Sequence, residues 1–389
     1  MPGDNAHHNP MTALDPRQRA WVEVSPQAIE SNARAVCGHL ASGTQLMAVV
    51  KADGYGHGAE SVARAALRGG ASSLGVATLA EGLELRRAGL EVPILLLGHL
   101  SDAEQLRHCL HWRLMPTLST ADDIQLCQSL AEDSGRRFAV QLKLDTGMAR
   151  LGCAWEEGSR LVELIRSQED LDLSGLYSHL ACADGPIDGD DGAFTERQHH
   201  RFRTVLDQLP QRGRDLCCHL ANSAGTLQSR ALHHDMVRVG LALYGHAPAP
   251  HLGDTLALQP ALSVKARVTL VRSIPAGVSA SYGRRFISKR PTRLAVIAIG
   301  YADGVARALS DRIDVLHRGQ RLPQVGAITM DQLLVDATDA GPVRPGDIVT
   351  LLGQDGEETI SPQDWSERCD SIPWEILCGF KRRLPRIEV

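Results

Sequence analysis

A chain of 389 residues, 43% hydrophobic and 22% charged, is too long for one ordinary core and too apolar to be disordered, so about two globular domains are expected. Its formal net charge of −5, with the signs interspersed, leaves no basic footprint for nucleic acid, and no uncharged apolar run of about 18 residues is present to span a membrane. Residues 1–18 begin polar, are rich in His, Asn and Pro, and lack a secretory apolar core. They are read as a disordered tail, and the chain as cytoplasmic. The nine cysteines are scattered and odd in number, with no C-x-x-C pair, which fits reduced thiols better than disulfides or zinc. The adjacent pairs His199-His200 and His233-His234 lack the i, i+4 spacing of helical ligands. No metal is expected, and both pairs are read as solvated.

In chain order, Trp21–Val24 is an isolated short run. From Leu46 onward eight apolar runs alternate with helical patterns: Leu46–Val50, Ser73–Ala77, Pro93–Gly98, Leu114–Leu118, Phe138–Leu144, Leu171–Ser178, Leu216–Leu220 and Met236–Val239. The gaps hold amphipathic segments such as Ser61–Arg68, Glu81–Arg87 and Ala154–Arg166. Eight strand–helix units in some 200 residues predict a parallel (β/α)8 barrel over residues 19–245; an open doubly wound sheet is the alternative. His246–Asp254, rich in Pro and Gly, reads as a linker. Beyond it the runs Leu262–Ile274, Arg293–Ile299, Ile313–Leu316, Gln324–Ile328, Leu333–Asp336 and Asp347–Leu352 have no helices between them, which predicts an all-β domain over 246–389. Trp21–Val24 is a candidate to pair with that domain.

In a parallel barrel the site lies at the C-terminal ends of the strands. Lys51 ends the first run and opens the glycine-rich Ala52-Asp53-Gly54-Tyr55-Gly56-His57-Gly58. An amine placed there is either a snorkelling surface group or a partly desolvated nucleophile toward carbonyls. Asp145–Arg150 follows strand five and His179 ends strand six. Asn222-Ser223-Ala224-Gly225 follows strand seven, and Arg238 lies near the end of strand eight, just before Gly240. Asn222-Ser223 is an ordinary helix cap or, with the backbone of Gly240 and Leu241, a phosphate cradle. Arg238 is an ion-pair residue or a functional one. No G-x-x-x-x-G-K-[ST] loop points to a nucleoside triphosphate.

The tract K-A-D-G-Y-G-H-G at Lys51 resembles the cofactor-lysine segment of the alanine racemases, a resemblance that runs from about Trp21 to Arg386. Lys143-Leu144-Asp145-Thr146-Gly147-Met148-Ala149-Arg150 resembles the family's K-x-D-T-G-M-G-R segment, with Ala149 where glycine is usual. Ser281-Tyr282-Gly283, Ile299–Gly304 and Ile328–Gln332 match motifs of the family's second domain. The resemblance implies pyridoxal phosphate held as a Schiff base on Lys51. It implies phosphate contacts from Tyr55, Asn222, Ser223, Gly240 and Leu241, an Arg238 hydrogen bond to the pyridine nitrogen, and His179 packed beside them. Arg150, Tyr301 and Met330 are implied to bind substrate, and Lys143 is a possible carbamylated lysine. Lys51 and Tyr282 are the implied catalytic bases on opposite faces, Tyr282 coming from the partner chain of a homodimer with shared active sites. Trp374 stands where many members have a phosphate-binding tyrosine, which puts that contact in doubt.

These implications describe an isomerase interconverting L- and D-alanine for peptidoglycan. A serine or broad-specificity racemase of the same fold is the alternative, with pocket size near Tyr301 and Met330 the discriminator. A non-catalytic carrier of the cofactor would lack a second domain, so Ser281-Tyr282-Gly283 argues against it.

Overall fold

The computed structural model describes residues 15–209 and 216–389; residues 1–14 of the expected disordered tail lie outside them. The chain divides into two compact units, Val24–Leu262 with the last two residues, and Ser263–Ile387 with the segment that ends at Glu23.

In the first unit all eight apolar runs are strands: β1 (Gln45–Val49), β2 (Ser73–Val76), β3 (Ile94–His99), β4 (Met115–Leu118), β5 (Phe138–Asp145), β6 (Leu171–Tyr177), β7 (Cys217–His219) and β8 (Met236–Val239). They lie in the order β4-β3-β2-β1-β8-β7-β6-β5. The ring closes because β5 pairs in parallel with β4, Thr117 opposite Gln141 and Leu118 opposite Leu142. That pairing removes the open-sheet alternative. The strands are apolar on both sides because helices cover the outside of the ring while the inside is packed with side chains. Thr78 and Thr120 start two of those helices with capping boxes, answered by Glu81 and Asp123. Each box fixes where the chain turns at the C-terminal end of a strand.

The stretch after Tyr244 is held to this unit more closely than a linker would be. Ala261 N–H donates to the Tyr244 carbonyl at 3.1 Å. The buried Asn32 amide clasps the Gln259 backbone by accepting its N–H and donating to its carbonyl, each at 2.8 Å. Two expected solvated histidines are buried in this unit, His199 and His233. His233 accepts the Ala41 N–H at 3.2 Å and meets the Thr226 carbonyl through Nε2 at 2.9 Å. One member of each adjacent pair faces inward because neighbours in sequence point to different faces.

In the second unit the long strand β9 (Leu262–Ile274) is followed by β10 (Thr292–Ile297), β11 (Asp314–His317), β12 (Gln320–Val325), β13 (Leu333–Asp336) and β14 (Ile348–Asp355). Their order is β14-β11-β12-β13-β10-β9, with β14 pairing back onto β9. Ala20–Val24 pairs on the other edge of β9, and Arg386–Glu388 lies beyond it. One boundary needs correction. β12 begins four residues before Gln324, because Arg318 and Gly319 take φ of 51° and 74° and make a two-residue hairpin that pairs His317 with Gln320. The unit is the expected sheet-rich domain, with two helices added near its end. Pro362–Cys369 and Pro373–Gly379 are helices, each with proline in its first turn, and Ser361 and Asp364 form a capping box on the first. That box was readable in the sequence as S-P-Q-D. Among the described residues no helix is long and apolar enough to cross a membrane.

Candidate active site

The first half of the site is built on the turn after β1. Val50 N–H still donates to the Gly75 carbonyl at 2.9 Å. The chain then coils in the left-handed sense, with φ of 53°, 54°, 60° and 51° at Ala52, Asp53, Gly54 and Tyr55. Glycine adopts this freely, whereas each other residue resists by roughly 1–2 kcal/mol. The sequence placed the permissive geometry in the glycines; the structure extends it to three residues that bear a Cβ. The turn is closed by Gly54 N–H to the Val50 carbonyl, Gly56 N–H to that of Ala52 and Gly58 N–H to that of Asp53, at 2.8–3.0 Å. It leaves Lys51 half-buried at the C-terminal mouth of the ring. The buried Tyr55 ring stacks on Tyr244 at 4.7 Å. A Cβ on Gly240 would lie 2.5 Å from the Tyr55 hydroxyl, so the bare glycine lets that hydroxyl reach the turn after β8.

On the neighbouring strand β8, Arg238 stands opposite Met47 and is 3% exposed. Its guanidinium donates to His219 Nδ1 at 2.8 Å, the Ser178 carbonyl at 2.6 Å, His179 Nδ1 at 3.1 Å and the Leu220 carbonyl at 3.0 Å. It also lies over the Tyr177 ring at 5.1 Å. Every one of these partners is neutral, and burial draws the Arg238 pKa down to about 10. An arginine only donates, so both histidines must present an unprotonated Nδ1 and carry their proton on Nε2. His219 then donates from Nε2 to Gln141 Oε1 at 2.8 Å. Burial, and after it the charge of Arg238, hold the pKa of both His179 and His219 well below the ordinary value. Tyr177 stacks on His219 at 4.8 Å and shares a 2.7 Å hydrogen bond with Thr117. Burial raises its phenol to about 12.

Lys143, on β5 and 6% exposed, points over the other part of the Tyr177 ring at 5.5 Å. Burial first, then Arg238 and Arg150, and least of all Lys51, lower its pKa to about 8, with Asp145 opposing by more than Lys51 contributes. Four cationic side chains therefore meet at one end of the ring.

The loops carrying them are tied together from behind. Asp145 Oδ1 accepts Gly147 N–H at 2.9 Å and Ala149 N–H at 3.1 Å, which turns the chain toward the exposed Arg150. Ala149 sits there at φ 54°, so the departure from glycine carries strain. Thr146 and Ser178 share a 2.7 Å hydroxyl bond. Gln198, fully buried, donates to Thr146 Oγ1 at 3.2 Å and the His179 carbonyl at 2.9 Å, and accepts Ala181 N–H at 2.9 Å. Arg201 holds the Thr146 carbonyl at 2.8 Å. After β7, Asn222 caps the helix Ser223–Gln228 by accepting Gly225 N–H at 3.0 Å. Ser223 Oγ accepts the N–H of Gly240 at 3.0 Å and of Ala242 at 3.5 Å, which links the turns after β7 and β8. Leu241 is buried beside them.

The second unit brings its own three expected residues together. Gly300 packs so closely that a Cβ would meet the Thr329 carbonyl at 2.2 Å and that of Met330 at 2.5 Å. Tyr301 N–H donates to Thr329 O at 2.9 Å and Ala302 N–H to Met330 O at 3.0 Å. Ser281 Oγ anchors Tyr282 by donating to the Ala327 carbonyl at 2.9 Å. A cavity of about 350 Å³ lies beside Ser281, Tyr282, Thr329 and Leu333. Tyr282, Tyr301 and Met330 are 74%, 42% and 52% exposed.

Comparison with known proteins fits this pattern of two units. Residues 24–248 match the alanine racemase N-terminal domain and residues 261–388 the alanine racemase C-terminal domain. An alanine racemase of Prochlorococcus marinus is 55% identical over 380 residues, 98% of each chain. The chain belongs to the alanine racemase family. The alanine racemase of Streptomyces coelicolor superposes with a TM-score of 0.89 at 36% identity, covering 95% of this chain and 98% of that one. The alanine racemase of Bartonella henselae, solved with covalently bound pyridoxal phosphate, gives 0.84 at 34% identity, with 95% and 99% covered. The chain is thus an isomerase that interconverts L- and D-alanine, and the broader-specificity alternative is not favoured.

Within this racemase the motifs led to Lys51, Lys143, Arg150, His179 and Arg238 and missed the side chains of the network around Arg238. Gln141, Tyr177, His219 and Thr117 were not singled out. Gln141 lies two residues before Lys143 on β5 and so shares a strand face with a residue that was, and Tyr177 ends β6 two residues before His179. A polar side chain at period two inside an apolar barrel strand was the available signal. Gln198 and Glu81 lie on helices, where nothing local distinguishes them from solvated polar residues.

Proposed function

We propose that racemisation in this chain uses pyridoxal phosphate carried by Lys51, with Tyr282 of a second copy as the base on the opposite face. The observation that carries this reading is the meeting of Lys51, Lys143, Arg150 and Arg238 at the barrel mouth, where Asp145 is the carboxylate that acts on Lys143 among the described residues. Such a set suits an anionic group of small size. Ser223, Gly240, Leu241 and the Tyr55 hydroxyl would hold its phosphate, and a Cβ at Gly240 would crowd that cradle. Asn222 supports the cradle through its cap. The covalent cofactor of the Bartonella henselae relative supports the same assignment.

When bound, the cofactor supplies an electron sink that acidifies the Cα–H of the attached amino acid. The chain's own residues then divide the work. Lys51 moves the proton on the face belonging to D-alanine, and Tyr282 on the face belonging to L-alanine. Arg238 would meet the ring nitrogen with a donor that does not give up its proton, leaving that nitrogen unprotonated. By not protonating that nitrogen, Arg238 would favour return of one proton over loss of carboxylate or amine. Arg150 would orient the substrate carboxylate, with Tyr301 and Met330 at the entrance. Lys143, an amine with a pKa near 8, is basic enough to bind CO2 and free enough of its proton to do so. A carbamate there would turn the cation beside Arg150 into its anionic partner. His179 stays neutral and holds Arg238 in place. Trp374 offers only an indole N–H where a tyrosine hydroxyl is usual. The enzyme would work in the cytoplasm and provide D-alanine for peptidoglycan.

Exposure of Tyr282, Tyr301 and Met330 together supports a surface completed by a partner. The test uses Lys51→Ala and Tyr282→Phe chains, each nearly inactive alone. Mixed under subunit exchange, a shared-site homodimer has one intact site per heterodimer and should approach half the wild-type activity. No recovery, with heterodimers seen by native mass spectrometry, would overturn the shared site. Borohydride should fix pyridoxal phosphate on the Lys51 peptide; label on another lysine would overturn the cofactor assignment.

A further inference from the structure

Glu81 is the third residue of the helix Leu79–Arg87, which follows β2. Its role in starting that helix needs one bond, from Thr78 N–H to Oε2 at 3.0 Å, matched by Glu81 N–H to Thr78 Oγ1 at 3.3 Å. The carboxylate makes two more. Oε2 also accepts Ala77 N–H at 2.7 Å. Oε1 accepts Ala52 N–H at 2.7 Å, across 29 residues of sequence. Ala52 is the residue after Lys51 and the first of the left-handed turn. On the other side of Lys51, Val50 N–H is held by the Gly75 carbonyl at the end of β2. The two residues flanking Lys51 are therefore both tied to the next strand–helix unit, one by backbone and one by Glu81.

We propose that Glu81 is a positioning residue for Lys51, its carboxylate holding the Ala52 peptide so that the amine leaves the strand toward the barrel mouth. The inference rests on the reading of Lys51 as the cofactor lysine. Ala52, Asp53 and Tyr55 all resist positive φ, so the turn needs an external hold at its first peptide. A bond from a backbone N–H to a carboxylate is a strong hold, and helix capping does not require it.

The two roles separate by substitution. Thr78→Ala removes the cap bond to Glu81 N–H and leaves the carboxylate bonds. Glu81→Gln keeps the shape and the cap but turns an amide NH2 toward one of the N–H groups it now accepts. Glu81→Ala removes all three bonds. The full chain, stripped of cofactor, is mixed with pyridoxal phosphate at rising concentration, and growth of the absorbance near ~420 nm is followed. Its saturating first-order rate reports attachment at Lys51, and the half-saturating concentration reports binding at the phosphate cradle. Glu81→Ala should lower the saturating rate roughly tenfold or more and Glu81→Gln by less, with half-saturation unchanged. Thr78→Ala should melt earlier yet attach at the wild-type rate. Attachment by Glu81→Ala at the wild-type rate, or an equal loss in Thr78→Ala, overturns the proposal. If Glu81→Ala does not fold, Glu81→Gln decides alone, and a wild-type rate in it overturns the proposal. No band in the wild type removes the cofactor reading, and the inference with it, a result distinct from a band that is indifferent to Glu81.

Discussion

The barrel mouth carries most of the expected site residues and the Tyr282 face of the second unit three, Tyr282, Tyr301 and Met330, and the two are made in opposite ways. At the barrel mouth the groups are sunk into the fold: Arg238 is 3% exposed, Lys143 6%, and their neighbours bond one another in a continuous network. On the second unit Tyr282 is 74% exposed, and its loop is held by backbone and by Ser281, not by contacts of its own ring. The first arrangement sets charge and tautomer by burial. The second offers a side chain for something else to bury. A change at a buried barrel group should therefore alter stability together with activity, and a change on the second face activity alone.

The largest expected effect tests that contrast at its buried end. Arg238→Met leaves His219, His179 and two carbonyls without their donor, which should cost roughly 3–5 kcal/mol of stability by denaturant titration. A loss below about 1 kcal/mol would mean the network contributes little to the fold. Tyr282→Phe is its counterpart. Racemisation should fall by about 10²–10⁴-fold, the usual contribution of a general base. Stability should stay within about 0.5 kcal/mol because the hydroxyl faces outward. Exchange of the Cα proton of D-alanine with solvent should survive better than racemisation does. Matching losses in the two assays would blur the distinction between the regions.

Lys143→Met sharpens the electrostatic side of the comparison. The Lys143 pKa falls from 10.5 unfolded to about 8 folded. Between those values the unfolded chain binds a proton that the folded chain does not, so stability rises with pH across that window and is lower, and flat, beneath it. In cofactor-free protein without CO2, Lys143→Met should raise stability at pH 7 by roughly 1–3 kcal/mol and abolish the rise between about pH 8 and 10.5. A wild-type curve flat over that range would contradict the burial argument. The smallest effect belongs to Ala149→Gly. It relieves positive φ, worth roughly 1 kcal/mol, but frees the unfolded chain by a similar amount. The net gain should be under about 1 kcal/mol, with the midpoint of unfolding shifting slightly upward.

By itself the sequence determined the eight-strand alternation, because a buried parallel strand must be a short apolar run and a covering helix must be amphipathic. It also determined which residues stand at strand ends, and so the mouth positions Lys51, Arg150, His179, Asn222 and Arg238. Tertiary structure decided the rest. Closure through Thr117 opposite Gln141 depends on two strands whose pairing no local pattern states. The two C-terminal helices hid behind a sheet-rich stretch, although the capping box of the first was legible. The floor of the site, Gln141-His219-Arg238 with Tyr177, joins four strands, and the tautomer of His219 follows from an arginine on the next strand. The left-handed turn after Lys51 is the plainest case. Local preference argues against positive φ at Ala52, Asp53 and Tyr55, and the two bonds that tie the start of the turn, Val50 N–H to Gly75 and Ala52 N–H to Glu81, exist only once the first two strand–helix units are packed side by side.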